Sequence, residues 1–515
     1  MVNPSGGTPA AVDPGRFFEA VTRELGAAAV DTTAEARRRY GENTMPGGER
    51  AVLGVLFPGS SADVQIIVRA ANRYRVPVYP ISAGNNIGLG SRSPVRDGQV
   101  VVDLGWRMSR ILEVNEELGY AVIEPGVTFQ MLHDELVRLG DRLMVSATSG
   151  PPLGSVLGNA LDKGAGYGPH FDHFGTLCGL EVVLGNGEVI RTGEAALQQG
   201  PAGNSHVSRY SFGPVLDGLF AQSNYGIVTR ATVWLLPRPP AIESFHFVFQ
   251  RDADLGAIID LIRPLKLSGF VPTLFRVCND LYAAGTEEPS PEYAATKGRT
   301  RISDAARAAL RERHGLGAWQ VSGAFYGASA ASMAPMINRV RAHFAQIDGC
   351  RFVSHEEARH VPPLAIAIDS MSGRPGSAEL GLLRWRPGGG NTWFTPGTSM
   401  SGRQALALDR LGRETYDASG MDYIIMHVAG ARFARSLHVL VFNRGDPDEN
   451  RRADECYREL TRRYAELGIG VGRAPIDYHE EHMSRLMPAF RATGQAIKRA
   501  LDPNGIISPG RYGLL

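Results

Sequence analysis

Glycine and small polar residues crowd two stretches of this 515-residue chain. The first runs from Pro80 to Ser91 and carries Ser82, Gly84, Asn85, Asn86, Ile87, Gly88, Leu89, Gly90 and Ser91, directly after an apolar strand signal at Val76-Pro77-Val78. Glycines at 84, 88 and 90 permit positive φ, so successive backbone N–H groups can converge on one point. Such a nest suits a pyrophosphate and needs no cationic side chain. It is not a GxGxxG opening a helix, so a nicotinamide fold is not implied. The second stretch begins at Ser149-Gly150, passes Gly154-Ser155 and Gly158-Asn159, and ends at Gly164-Ala165-Gly166-Tyr167-Gly168. Its small residues would let the backbone approach a flat ring or a phosphate closely. His479-Glu480-Glu481-His482 has two residues between its histidines, not the three of HExxH, so it reads as a solvated helix start and no metal is expected.

Short elements must hold these loops. To about Pro237, helices and strands alternate: a helix over Ala62–Tyr74 with Val64, Ile67, Ala70 and Tyr74 on one stripe and Ser60 or Ser61 as cap, and strands at Val100–Leu104, Tyr120–Glu124 and Thr229–Leu236. Gly185-Asn186-Gly187 between Leu180–Leu184 and Glu188–Arg191 predicts a hairpin. From Ala241 to Tyr478 strand–helix pairs repeat: Ser244–Gln250 with Leu255–Ile262, Trp319–Tyr326 with Met333–Ile347, and Leu437–Phe442 with Arg451–Leu467. In the last helix Cys456, Leu460, Tyr464 and Leu467 share a face. This pattern fits an antiparallel sheet covered by helices, with Gly285–Arg301 as a surface loop. A net charge of +1 leaves no footprint for nucleic acid or an anionic membrane. No apolar run reaches 18 residues, and the Gly/Pro/Ala-rich start reads as a frayed tail, so a cytoplasmic enzyme is expected. Cys178, Cys278, Cys350 and Cys456 lack CxxC spacing and suggest neither disulfides nor zinc.

Further motifs fall in order along the chain: Glu124-Pro125-Gly126-Val127-Thr128, Gly179-Leu180-Glu181-Val182-Val183-Leu184, Asn224-Tyr225-Gly226-Ile227, Gly388-Gly389-Gly390, Trp393-Phe394, Ile497-Lys498-Arg499-Ala500 and Pro509-Gly510-Arg511. Together with the two glycine stretches they resemble the vanillyl-alcohol oxidase and p-cresol methylhydroxylase flavoprotein family, and within it the p-cresol methylhydroxylase flavin subunits. The resemblance implies an α+β, two-domain FAD-binding fold with a ferredoxin-like antiparallel-sheet cap. Residues 1–14 would be a tail, 15–240 with 495–515 the FAD-binding domain, and 241–494 the substrate domain. FAD would be held by Ser82, Gly84, Asn85, Asn86, Ile87, Gly88, Ser91, Pro125, Gly126, Gly150, Gly154, Ser155, Gly158, Asn159, Gly166, Tyr167, Gly226, Ile227, Asn391 and Arg511. Arg511 matches a family arginine near flavin N1, where a cation favours the anionic reduced ring.

Departures from the family pattern carry the functional expectations. Asn391 and Leu383 stand where relatives attach flavin through histidine or tyrosine, so FAD is expected to be non-covalent and a milder oxidant. Two phenolate-binding tyrosines align with Leu89 and Gly472, while the family arginine remains as Arg473. A lone Arg473 in a roomier apolar pocket would favour a carboxylate; the alternative is a salt bridge within the protein. Asp172 matches an acidic residue near flavin N5 and, if buried, would have a raised pKa suited to proton transfer; as a helix cap it would do neither. His173 and Glu379 complete the catalytic set, and His170, Leu383 and Trp393 join the pocket. The expected activity is an FAD-dependent oxidase or dehydrogenase removing hydride from a benzylic or allylic alcohol, amine or activated C–H. Alternatives are a hydroxy-acid enzyme anchored by Arg473, or a non-catalytic flavin-binding subunit. Oxygen or a cytochrome would accept the electrons, and a homodimer is the family default.

Overall fold

The computed structural model describes residues 12–197 and 204–515. The tail expected over 1–14 therefore falls almost wholly outside the described residues, and Pro14 itself opens a helix, Pro14–Leu25. The first sheet places Val52–Leu56, Gln99–Asp103 and Val78–Ile81 in parallel, with Val30–Asp31 antiparallel at one edge. The crossover helix spans Ser61–Tyr74, and the Ser60 hydroxyl accepts from the Asp63 amide. Val64, Ile67, Val68 and Ala71 form its buried face, so the apolar stripe sits slightly rotated from the one the spacing predicts. Arg75 takes φ 56° and turns the chain back into the third strand, whose end feeds directly into the first glycine stretch.

A second, antiparallel sheet orders Ile111–Asn115, Tyr120–Ile123, Gly226–Trp234, Leu177–Leu184 and Val189–Arg191. The hairpin at Gly185-Asn186-Gly187 is present, with Gly187 at φ +83°. The strand predicted to reach Leu236 stops at Trp234, because Leu236–Pro237 leaves to pair with Leu143–Met144. Late residues close onto the first sheet: Ile507 bridges Val78, and the Ser508 amide donates to the Val78 carbonyl at 2.7 Å. The buried Lys498 ammonium holds that return by donating to Asp502 and to the carbonyls of Asn224 and Ile507.

The third sheet has eight antiparallel strands, ordered 351–353, 241–249, 319–327, 275–279, 424–429, 433–442, 390–399 and 471–473. Side chains alternate between its faces, as the pleat requires. On 433–442, Ala434, Leu440 and Phe442 join one core with Tyr416, Tyr457 and Tyr464 of covering helices. Val439 and Val441 join the opposite core with Met426, Val428 and Tyr167. That second face is turned toward the glycine stretches. Two expectations need correction. Leu467 is exposed, because the helix ends at Glu466 before that face reaches the core. The segment 285–301 contains a helical turn, Tyr293–Thr296, anchored where the Tyr293 hydroxyl donates to Glu449 at 2.7 Å. Among the described residues no helix is long and apolar enough to cross a membrane.

Candidate active site

One cavity of about 350 Å³ runs from the first glycine stretch to the second face of the eight-stranded sheet. Its floor is built by the loop that follows Val78–Ile81. The amides of Gly84, Asn85, Asn86 and Ile87 have no acceptor among the described residues, whereas Gly88 donates to the Thr44 hydroxyl. Gly84 and Gly88 hold φ of +66° and +74°, which bends those amides into a concavity that attracts anions. The second glycine stretch packs directly on the first: a Cβ on Gly158 would lie 2.2 Å from the Ser82 hydroxyl oxygen. Ser155 caps the short helix Val156–Leu161 and donates to the Pro125 carbonyl at 2.6 Å, tying a third segment into the wall. Open amides, close-packed glycine loops and a long groove fit a dinucleotide with a flat ring.

Toward the sheet the lining changes to side chains: Tyr167, Tyr282, Leu382, Leu383, Trp393, Met426, Val428 and Leu437. Trp393 locks the two ends together by donating to the Ile87 carbonyl at 3.1 Å. Glu379 is buried in this wall and takes a 2.7 Å ion pair from Arg276, a fully buried arginine on strand 275–279. Burial first, and then the Glu379 charge, pushes the Tyr282 phenol well above its ordinary pKa, so it keeps its proton.

Between the two ends lies a charged junction. Asp162, just past the short helix, receives Nε and Nη2 of Arg473 at 2.9 and 2.6 Å and the Tyr512 hydroxyl at 2.8 Å. Burial opposes its charge, but Arg473 and Arg511 together hold its pKa below the usual carboxylate range. Arg511 donates to the Tyr79 hydroxyl at 2.8 Å and lies against the Tyr79 and Tyr512 rings. His479 is buried beside this junction, its Nδ1 accepting from the Tyr512 amide at 3.0 Å. The solvated helix start expected there is thus corrected at its first residue: the chain turns His479 inward to fix Tyr512.

Most of the sequence-derived residues meet in this one cavity. Its lining includes Ser82, Gly84, Asn85, Asn86, Ile87, Leu89, Ser91, Pro125, Gly150, Gly154, Ser155, Gly158, Asn159, Tyr167, Gly226, Ile227, Glu379, Leu383, Trp393, Arg473 and Arg511. Gly88, Gly126, Gly166, Gly472, Asn391, His170, Asp172 and His173 stand outside that lining. Gly126 and Gly166 allow close packing, since a Cβ would come within 2.6 Å of the Gly105 carbonyl and 2.3 Å of the Ser146 hydroxyl oxygen respectively. Asn391 is buried behind Gly88, its amide atoms without partners among the described residues. Asp172 is exposed, with its carboxylate close to Gly175, so the burial expected of it is not found. His173 is buried and bonded to Asn159 at 2.7 Å, with burial pushing its pKa down to about 4, so it stays neutral and supports a cavity residue. Arg473 is not a lone cation, because Asp162 already neutralises it.

Sequence reasoning missed Asp162, Arg276, Tyr282, Arg435 and His479. Arg276 left a usable signal: a charged residue inside Phe275-Arg276-Val277-Cys278, an otherwise apolar strand, must be paired if buried.

Fold and site together define an FAD-dependent oxidoreductase with the fold of the p-cresol methylhydroxylase flavoproteins. A sequence family described as "FAD binding domain" matches residues 52–193, the part that carries both glycine stretches. The 4-cresol dehydrogenase (hydroxylating) flavoprotein subunit of Pseudomonas putida is 34% identical over 88% of this chain and 86% of its own length. The 1'-carboxy-chondrochloren decarboxylase of Chondromyces crocatus is 34% identical over 96% of this chain and 97% of its own. The structure of 4-ethylphenol oxidase from Gulosibacter chungangensis, in complex with isoeugenol, superposes with a TM-score of 0.94 at 31% identity, covering 100% of this chain and 99% of that one. The chain belongs to the vanillyl-alcohol oxidase and p-cresol methylhydroxylase flavoprotein family.

Proposed function

We propose that this enzyme oxidises a phenolic or related aromatic substrate at the carbon next to its ring, using dissociable FAD. Residues 15–240 with 495–515 hold the cofactor and 241–494 roof the substrate. The observation that carries this reading is the continuity of the cavity: a mainly apolar end lined by Leu383, Trp393, Met426, Val428 and Leu437 is continuous with the cradle. Bound FAD supplies a hydride acceptor at N5. The protein does the rest. The amides of Gly84 to Ile87 would hold the pyrophosphate, and Arg511 would balance the negative charge that the ring gains on accepting a hydride. The apolar wall excludes water, which strengthens these interactions. Glu379, fixed by Arg276, would accept a substrate proton.

Leu383 lines the apolar end and cannot form a flavin bond, and the Asn391 side chain packs behind Gly88. Both placements support non-covalent FAD. Acid precipitation should leave the yellow colour in the supernatant; a yellow pellet would refute dissociable FAD. Anaerobic mixing with para-alkylphenols and benzylic alcohols should bleach the flavin. Bleaching by 2-hydroxy acids alone would overturn the aromatic reading. Relatives are named both dehydrogenase and oxidase, so recovery of colour in air decides between an external carrier and oxygen.

A second reading, a substrate that also bears a carboxylate, is favoured by the charges of the cavity. Arg435, Arg473 and Arg511 face it, against Asp162 and a Glu379 already paired with Arg276. A relative over nearly the full chain is named for a carboxylated substrate.

A further inference from the structure

Arg435 stands on strand Phe433–Phe442, two residues before Leu437, so the pleat points both side chains into the cavity. Its Nη1 donates to the Lys163 carbonyl at 2.8 Å, which fixes the guanidinium. Nε and Nη2 have no acceptor among the described residues, and no described carboxylate reaches it as an ion pair. Asp162 and Asp172 favour its charge from a distance, but burial, and then the neighbouring charge of Arg473, leave its pKa below the usual arginine value. An arginine does not escape that conflict by losing its proton. An anion against its open edge would relieve that conflict.

Gly472 leaves space beside that guanidinium. A Cβ on this glycine would lie 3.1 Å from Nε and 3.2 Å from Nη2 of Arg435. It would also lie 3.3 Å from Cζ, so a side chain at 472 would rest against the guanidinium and crowd an anion approaching the Nε–Nη2 edge. Glycine at 472 and arginine at 435 therefore act as a pair, one clearing space and the other supplying charge. The Nε–Nη2 edge presents two N–H groups side by side, matching the two oxygens of a carboxylate better than the single oxygen of a phenolate.

The geometry points to Arg435 as the specificity-determining residue that receives a substrate carboxylate in the space cleared by Gly472. This rests on the reading that the cavity binds an aromatic substrate, and it names which part of the substrate the protein selects. Arg473, committed to Asp162, positions the junction and does not take the carboxylate.

The test uses FAD-loaded enzyme and two matched probes, 3-(4-hydroxyphenyl)propionate and 4-propylphenol. Affinities are read by equilibrium dialysis, and flavin bleaching is followed separately under anaerobic conditions. The parent enzyme should bind the acid at least about tenfold more tightly than the neutral phenol. Arg435→Gln should reduce that ratio by roughly 10–100-fold, and Arg435→Lys should keep part of it. Gly472→Ala should also lower the ratio, although Arg435 is still present. If Arg435→Gln does not retain FAD, the lysine and Gly472 variants decide. A parent ratio near one, or a ratio unmoved by these variants, overturns the assignment. Absence of bleaching with an intact ratio overturns the oxidation reading alone.

Discussion

The two ends of the cavity are built by different means. At the cradle the chain offers main-chain amides, and side chains matter mostly by being absent, as at Gly88, Gly126 and Gly158. At the eight-stranded sheet the lining is made of side chains from distant segments: Glu379, held from behind by Arg276, with Met426, Arg435 and Leu437. The first arrangement is local and repeats wherever the same loop is written. The second exists only when strand register is correct, since a one-residue slip would turn Arg435 and Leu437 into the opposite core.

If that contrast holds, damage at the sheet end should be large and repairable by a partner change. Arg276→Met strands the Glu379 carboxylate in a buried site and should destabilise the protein by about 3–5 kcal/mol in denaturant unfolding. The double variant Arg276→Met, Glu379→Leu should recover most of that loss. A single substitution costing under about 1 kcal/mol would contradict the pairing argument. Damage at the cradle should be smaller and beyond repair by any partner. Gly88→Ala meets a positive φ and would bring a Cβ within 2.3 Å of the Trp393 ring. FAD affinity, measured by fluorescence on titration of the apoprotein, should fall on the order of 10–100-fold. Unchanged affinity would show that loop shape is not what holds the cofactor.

The smallest effect comes from a residue that supports the cradle from behind. Burial lowers the His173 pKa from 6.5 to about 4. As pH falls below 6.5 the unfolded chain takes the proton first, so His173 costs stability between pH 6.5 and 4 and adds no pH dependence above that window. At pH 5.5 the loss is about 1 kcal/mol. His173→Gln should flatten the acid side of a stability–pH curve by that amount, and a curve parallel to that of the parent would refute the assignment.

Much of the cradle was legible because its signal lies along the chain. Glycine spacing after Val78 and the small residues from Ser149 to Gly168 report backbone shape directly, and the elements around them follow from local patterns. The sheet end was less legible. Sequence alone does not show that Asp162 and Arg473, 311 positions apart, share a charged junction, or that Arg435 would lie against Gly472. Asp172 illustrates the limit most plainly. Its place in the motif pointed to a buried acid beside the flavin, but its side chain is exposed while the neighbouring His173 is buried. Motif position locates a residue on the chain, while the direction of its side chain depends on a few backbone angles.

The return of residues 498–514 onto the strand at Val78 orders events during synthesis. A ribosome releases both glycine loops long before Arg511, Tyr512 and the strap around Lys498 leave the exit tunnel. Until then the parallel sheet lacks its neighbour at Val78, and Asp162 meets neither Tyr512 nor Arg511. Without residues 498–514 the open amides of Gly84 to Ile87 would still be present, but Asp162 would lose the Tyr512 hydroxyl and the Arg511 charge, so that return completes the junction and not the cradle.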